Sequence, residues 1–200
     1  MRSVVIDSID IQQLVETRKK LGIDRWDEVW KGEWHLNPGP SIEHQRIVKG
    51  LLRILMEVVE DTGLGLVLQG VNVADPSRGL LDFRIPDISI VLQGSRAQIQ
   101  ETFIAGGPDM LIEIRSPGDE TYEKLPWYGE QGVREVFILD RDTKRVELYR
   151  HDGTALVLRA AFPQIAESQL LQLRFETVHE ADIPRLRVVH LRVPQRNWVI

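Results

Sequence analysis

Two strongly apolar runs, residues 110–115 and 135–140, flank a segment with the length and pattern of one helix. Both runs have the β-branched and aliphatic composition of buried strands, and residues 122–131 predict a helix that Gly132 closes. A helix that connects two strands in this way places them side by side and parallel. A short polar connection then leads into another strand, residues 145–150, as in a hairpin. The sequence therefore predicts a mixed sheet.

The clearest helix in the sequence is predicted over residues 42–60. Ser41 follows the break Asn37-Pro38-Gly39-Pro40 and is a good N-cap for this segment. The other predicted elements are a helix at residues 9–21, a hairpin at 25–34, and strands at 64–73 and 85–92.

Composition narrows the class of protein. The chain has 200 residues, 42% hydrophobic and 28% charged, which predicts one soluble domain with a sizeable core. The absence of cysteine excludes disulfides and thiolate zinc sites. The sequence shows neither a secretory signal nor an apolar run long enough to cross a membrane, so a cytoplasmic protein is expected. A net charge of -5 means that nucleic acid would need a local basic patch or bound divalent cations.

Two acidic residues, Asp87 and Glu113, stand within apolar strand-like runs. A carboxylate among aliphatic side chains loses hydration and needs a cation or a metal ion as its partner. Strand alternation places Glu113 and Arg115 on one face, where Asp87 from a neighbouring strand is expected to meet Glu113. This arrangement suits Mg²⁺ or Mn²⁺, which bind one or two carboxylates together with water and a phosphate oxygen.

Structural explanations exist for each of these acids alone. Asp87 follows Pro86 and can cap a bend, and Glu113 can form a salt bridge with Arg115 or Lys124. For an isolated Asp or Glu, such structural roles are the commoner ones.

The helix predicted at residues 42–60 separates an apolar face from a basic stripe of Arg46, Lys49 and Arg53. A solvated surface is the commoner explanation of such a stripe, and contact with nucleic-acid phosphates is the functional one. His44 lies in step with the apolar positions and should point inward. It is either a hydrogen-bonded structural residue or one that orients a metal-bound water.

The acids fall within a longer pattern. Pro86-Asp87 followed by Glu113-Ile114-Arg115 resembles the P-D…(D/E)-x-K signature of the restriction-endonuclease-like superfamily. Four blocks in the family order resemble the Uma-two family of endonuclease-like proteins: residues 43–48, 84–88, 108–117 and 124–140. The resemblance covers about residues 26–150. Residues 151–200 are a C-terminal extension, and its Arg-rich tail from Gln172 to Ile200 is expected to be either a specific addition or a dimerisation segment.

Residues 1–200 are expected to form a single domain, and the resemblance implies that its core, about residues 26–150, is a restriction-endonuclease-like α/β fold with a mixed central sheet flanked by helices. It implies a metal site formed by Asp87, Glu113 and the main-chain carbonyl of Ile114. Arg115 stands where the motif lysine is expected, and a permanently protonated guanidinium is a poor proton acceptor. In the Uma-two family a lysine on the following helix stands in for it, which corresponds to Lys124.

The predicted function is a Mg²⁺- or Mn²⁺-dependent endonuclease that hydrolyses DNA. Lys124 would position or deprotonate the attacking water, Arg115 would bind phosphate, and His44 would support the site. The alternative is a nuclease fold that has lost its chemistry and acts as a nucleic-acid-binding or scaffold module, which Arg115 and the acidic net charge favour. A homodimer would suit the cutting of both strands of a duplex.

Overall fold

The computed structural model of the protein describes residues 10–200. Helix α1 spans Asp10–Leu21, so Ile9, where the predicted helix begins, lies outside the described residues. Helix α2 spans Ile42–Leu55 and continues as a π-helical turn, Met56–Glu60. A 3₁₀ turn, Tyr122–Lys124, leads into α3, Leu125–Glu130. Within the described range, no helix has the length and apolar character needed to span a membrane.

The strands of residues 10–200 form three sheets. Within this range, the first sheet and the central sheet contain six strands each, and the C-terminal sheet contains four. The first sheet contains β1 Glu28–Trp30, β2 Glu33–His35, β4 Asn72–Asp75, β5 Gly79–Arg84, β7 Gln98–Ile99 and β8 Phe103–Ala105. The central sheet contains β3 Gly65–Gln69, β6 Ile88–Leu92, β9 Met110–Arg115, β10 Glu135–Asp140, β11 Val146–His151 and β12 Leu156–Ala161. The C-terminal sheet contains β13 Ala166–Ser168, β14 Leu173–Glu180, β15 Ile183–His190 and β16 Asn197–Val199.

The central sheet has the predicted mixed topology. Its strand order is β12-β11-β10-β9-β6-β3, in which β9 and β10 are parallel and every other neighbouring pair is antiparallel. The connection from β9 to β10 runs through α3, as a parallel pair requires. The prediction of a mixed sheet is therefore confirmed.

Two predicted strands have different bounds in the structure. The strand expected at residues 64–73 is interrupted at Gly70, whose φ of +56° turns the chain from β3 in the central sheet to β4 in the first sheet. The strand expected at 85–92 begins at Ile88, and the residues before it include β5, which the sequence analysis missed. The hairpin at 25–34 is confirmed as β1 and β2.

Helices and sheets cover both faces of the central sheet. Ser41 caps α2 by accepting a hydrogen bond from the His44 N–H at 3.2 Å, which fixes where the helix begins. The apolar face of α2 and the C-terminal sheet pack on one side, in a cluster that includes Ile47, Leu51, Leu55, Met110, Ile112, Ile114, Leu173 and Phe175. The other side holds α3 and part of the first sheet, in a cluster that includes Leu111, Val136, Ile138, Trp127, Tyr128, Val73 and Ile104. The α/β fold class is confirmed.

Gly107 lies against the turn that ends α3. Its N–H donates to the Gln131 carbonyl at 2.9 Å, and a Cβ atom on Gly107 would lie 2.7 Å from that oxygen and from Val133 N. Both are backbone atoms, so the contact can be relieved only by moving β9 or α3. We expect Gly107→Ala to lower the melting temperature by about 2–8 °C. Gly39→Ala, a control with open space around the added methyl, should change it little. The melting temperatures are measured by circular dichroism. If the two variants melted at the same temperature, the prediction for Gly107 would be wrong.

Candidate active site

The register between β6 and β9 brings the two acids of the sequence pattern together. Ile88 pairs with Ile112 in these antiparallel strands, so one step further along the ladder Asp87 lies opposite Glu113. Asp87 itself occupies a bend just before β6, where its main-chain carbonyl accepts from the Gly70 N–H at 3.1 Å. Both carboxylates therefore stand at the end of the β6–β9 ladder.

Both carboxylate oxygens of Asp87 have hydrogen-bond partners. Oδ1 lies 2.7 Å from His44 Nε2, and Oδ2 accepts from the Ile114 N–H at 2.7 Å. His44 points inward from the first turn of α2, as its position in the apolar pattern predicts. Burial lowers the pKa of His44, but the hydrogen bond to Asp87 and the charges of Asp87 and Glu113 raise it, and the net shift is upward.

Glu113 is buried, with a side chain only 5% exposed. Its Oε1 accepts from the Tyr128 hydroxyl at 2.6 Å and lies 3.4 Å from Lys124 Nζ. Burial raises the pKa of Glu113, the charge of Lys124 lowers it, and the charge of Asp87 raises it. The net result is a pKa of about 7. This carboxylate therefore depends on nearby positive charge to remain ionised.

Lys124 supplies that charge from the turn before α3. Its Nζ donates to Glu28 Oε1 at 2.8 Å and lies between Glu28 and Glu113. Burial lowers the pKa of Lys124, but Glu113 and Glu28 raise it well above its usual value, so the ammonium stays protonated. Glu28 is held in turn by the Ile85 N–H at 2.9 Å and by the Trp30 indole N–H at 2.6 Å.

These side chains line one cleft of about 400 Å³. His44, Asp87, Glu113, Ile114 and Lys124 all contribute to its surface. The structure thus brings together five of the residues that the sequence analysis singled out.

The cleft also contains residues that the sequence analysis missed. Glu28 and Arg141 line it, and Tyr128 stands behind Glu113. Glu28 is an acid in a short strand whose other residues are apolar, which is the same signal that identified Glu113. Arg141 and Tyr128 carry no comparable signal, because a loop arginine and a helical tyrosine are ordinary in a soluble protein.

Four predicted site residues do not line the cleft. Arg115 lies on the face of β9 that carries Glu113, but its NH1 is 2.8 Å from Asp140 Oδ2 and its guanidinium lies over the Tyr122 ring. Arg46, Lys49 and Arg53 are exposed on the outer surface of α2, where Arg46 lies 3.5 Å from Glu43. The predicted nucleic-acid contacts of the stripe stay a prediction.

The donor set fits a hard divalent cation. Across residues 10–200 no three His, Cys, Asp or Glu side chains are grouped as a complete metal cage. The cleft instead offers two carboxylates and the main chain of Ile114. Because the N–H and C=O of a strand residue point to the same side, the Ile114 carbonyl faces the edge of β9 on which Asp87 accepts its N–H. Two carboxylates and a carbonyl suit Mg²⁺ or Mn²⁺, which complete their coordination with water and phosphate oxygens.

Comparison with known proteins identifies the family. The model of the Uma2 family, described as "putative restriction endonuclease", matches residues 23–179. A crystal structure of a "putative nuclease belonging to DUF820" from Anabaena variabilis ATCC 29413 has a similar fold, with a TM-score of 0.58. The similarity covers 72% of this chain and 83% of that one at 18% sequence identity. No curated protein matches significantly. The family match spans most of the chain, and the protein therefore belongs to the Uma2 family.

Proposed function

We propose that this protein is an endonuclease that hydrolyses DNA phosphodiester bonds with Mg²⁺ or Mn²⁺. The observation that carries the proposal is the convergence of Asp87 and Glu113 in one cleft, with Lys124 beside them. Membership of a family described as restriction endonucleases supports it.

Asp87, Glu113 and the carbonyl of Ile114 would hold the cation. The cation, when bound, supplies Lewis-acid chemistry: it lowers the pKa of a bound water and neutralises charge that develops on the phosphate. The Tyr128 hydroxyl and the Ile114 N–H each fix one carboxylate oxygen, so the two acids keep their orientation without substrate. Such fixed geometry avoids reorganisation during the reaction.

Lys124 would orient the attacking water and stabilise negative charge on the phosphate in the transition state. Its raised pKa makes it a hydrogen-bond donor at neutral pH and a poor proton acceptor. Arg141, which lines the cleft, is better placed than Arg115 to contact a phosphate. Its NH1 lies 3.5 Å from Ser116 Oγ, which directs part of the guanidinium toward the cleft wall.

His44 acts in this proposal as a positioning residue, because its contact is with Asp87 Oδ1 at 2.7 Å. We expect His44→Ala to weaken Mn²⁺ binding and to lower kcat by about 10–100-fold, since partners that orient a metal ligand contribute on that scale. His44→Gln, whose amide can still donate to Asp87, should recover much of both. Calorimetric Mn²⁺ titration together with kcat checks this. A kcat loss with unchanged Mn²⁺ affinity, and without rescue by Gln, would contradict the positioning role.

The proposed activity is tested by incubating the protein with supercoiled plasmid, single-stranded DNA and RNA, in Mg²⁺, in Mn²⁺ or in EDTA. Nicking or cleavage of DNA that requires the cation and is lost in Asp87→Asn would support the proposal. Cleavage of RNA alone would contradict the DNA assignment. The absence of any cleavage together with the absence of calorimetric Mn²⁺ binding would contradict nuclease function and favour a binding or scaffold protein.

A further inference from the structure

Three carboxylates and one lysine share the cleft: Glu28, Asp87, Glu113 and Lys124. The proposed function assigns Asp87 and Glu113 to the cation and Lys124 to the water and the phosphate. Glu28 has no part in that assignment, although its side chain is only 2% exposed. A buried carboxylate is costly unless hydrogen bonds and opposite charges compensate for its lost hydration. The partners of Glu28 therefore indicate what it does.

Glu28 accepts hydrogen bonds from three different parts of the chain. Its Oε1 accepts from the Ile85 N–H at 2.9 Å and from Lys124 Nζ at 2.8 Å. Its Oε2 accepts from the Trp30 indole N–H at 2.6 Å. A carboxylate can accept on both oxygens, whereas a glutamine amide would turn its hydrogens toward one of these donors. The position thus suits an anionic group that ties the segment before Asp87 to the lysine.

The tryptophan donor is fixed by its own neighbours. The Trp30 ring stacks on the His35 ring, with centroids 3.8 Å apart, and the Arg84 guanidinium lies 4.4 Å from the Trp30 ring centroid. His35 Nδ1 lies in turn 2.9 Å from Glu120 Oε2. Rotation of the indole away from Glu28 would break these contacts. The carboxylate of Glu28 therefore keeps one orientation.

The lysine is bonded to Glu28 rather than to Glu113. N–H···O hydrogen bonds in proteins are roughly 2.7–3.2 Å long. Lys124 Nζ is within this range of Glu28 Oε1, at 2.8 Å, and outside it for Glu113 Oε1, at 3.4 Å. An ammonium has three hydrogens, so Glu28 takes one and two remain for a water and a phosphate. Glu28 therefore sets where the lysine lies relative to the proposed cation site.

The two oxygens of Glu113 differ in their contacts. The Tyr128 hydroxyl, at 2.6 Å, and Lys124 Nζ, at 3.4 Å, both approach Oε1. Oε2 takes part in neither contact, so it is the oxygen that the cation would use. Without Glu28, the attraction of opposite charges would draw the ammonium onto Glu113, the other carboxylate beside it. A lysine paired directly with Glu113 would compete with the cation for that carboxylate.

We infer that Glu28 is a positioning residue that holds Lys124 away from Glu113, which leaves Glu113 free to bind the cation while the lysine stays beside it. This inference rests on the proposed function and adds a residue to the same site. Glu28 itself touches neither the cation nor the DNA in this arrangement. Its effect is carried by Lys124 and is therefore absent from a variant that lacks the lysine.

The test is a double-mutant cycle between Glu28 and Lys124, measured as Mn²⁺ affinity by isothermal titration. Glu28→Asp keeps the negative charge but is one methylene shorter, so it cannot reach Ile85, Trp30 and Lys124 at once. We expect it to weaken Mn²⁺ binding about tenfold, because partners that orient a metal site contribute about 10–100-fold. In Lys124→Met, where no ammonium can move onto Glu113, the same change should weaken binding less than about threefold.

Turnover of supercoiled DNA in saturating Mn²⁺ gives a second measurement. Saturating cation removes the effect on affinity, so a loss in kcat reports the displaced lysine. Glu28→Asp should lower kcat by about 10–100-fold with little change in KM. Added to Lys124→Met, it should lower kcat no further, since the lysine is already absent. Glu33→Asp, the matched change in an exposed acid of the same hairpin, should leave Mn²⁺ affinity and kcat unchanged.

Trp30→Phe gives the same comparison if Glu28→Asp does not fold. It keeps the charge of Glu28 and an aromatic ring beside His35, and it removes only the donor to Glu28 Oε2. Loss of one hydrogen bond should weaken Mn²⁺ binding about fivefold, and this loss should again disappear in Lys124→Met. Melting temperatures measured without the cation show which variants are folded.

The outcomes separate this inference from the proposed function. If Glu28→Asp weakens Mn²⁺ binding equally with and without Lys124, the substitution acts by general distortion and the positioning role is overturned. If Glu28→Asp binds Mn²⁺ like the wild type, the positioning role is overturned as well. Nuclease function stands in both cases. A wild-type protein that neither binds Mn²⁺ nor cleaves DNA would overturn the proposed function, and the inference with it.

Discussion

Asp87→Asn should abolish Mn²⁺ binding while the protein stays folded. An asparagine at this position keeps an oxygen that accepts from the Ile114 N–H, and its amide group faces His44, whose neutral ring can accept a hydrogen bond. The variant therefore loses the charge and keeps the local contacts. Residues that only orient a metal ligand contribute about 10–100-fold to affinity, so loss of a ligand charge should weaken binding by at least about 100-fold.

Glu113→Gln should have the same effect by the same reasoning. The glutamine carbonyl can still accept from the Tyr128 hydroxyl, and Lys124 keeps its ion pair with Glu28. Isothermal titration with Mn²⁺ and thermal melting, run on the same preparations, measure binding and folding separately. The control is Glu123→Gln, which removes an exposed acid close in sequence. If Asp87→Asn or Glu113→Gln bound Mn²⁺ like the wild type, the assignment of the metal site would be wrong.

Lys124→Met should keep Mn²⁺ binding and lose turnover. Methionine fills most of the volume of the lysine side chain but cannot donate to a water or a phosphate. Removing one positioned donor from a buried site typically costs about 100–1,000-fold in kcat, so a loss on that scale is expected. Binding should survive because Asp87 and Glu113 remain, and the bound cation itself supplies the positive charge that keeps Glu113 ionised in the absence of Lys124.

The same change also leaves Glu28 and Glu113 without their cation in a buried site, so stability should fall by about 3–5 kcal/mol. The kinetic comparison must therefore be made at a temperature at which the melting curve shows the variant to be folded. Lys124→Arg keeps the positive charge and should recover stability more fully than turnover, because a guanidinium presents its donors in a different geometry. Full turnover in folded Lys124→Met would show that the lysine has only a structural role.

Much of the fold follows from local patterns in the sequence. The apolar runs of β9 and β10 with a helix between them predict a parallel pair, and the structure has it. Ser41 predicts the beginning of α2 because an N-cap hydroxyl satisfies a backbone N–H that has no partner within the helix. These elements are encoded by spacing and by neighbouring residues, so a single sequence suffices to find them.

Other elements depend on contacts between distant residues. Gly70 turns the chain between two sheets, and nothing in the apolar run around it marks the change of partner strand. Strand β5 escaped the sequence analysis, and its pairing with β1 and β4 is set by where the first sheet forms. Strand propensity depends strongly on such context, which is why these boundaries were missed.

The candidate site shows the same division. The sequence by itself determined that Glu113 is a carboxylate in an apolar strand, that Asp87 adjoins another such strand, and that His44 points inward from α2, because periodicity fixes which residues face the core. Only the tertiary structure decided that Glu28 and Arg141 line the same cleft, that Lys124 is held between Glu28 and Glu113, and that Arg115 turns away to Asp140. Alternation assigns a side chain to a face of a sheet, but its partner on that face is chosen by packing between segments far apart in the chain.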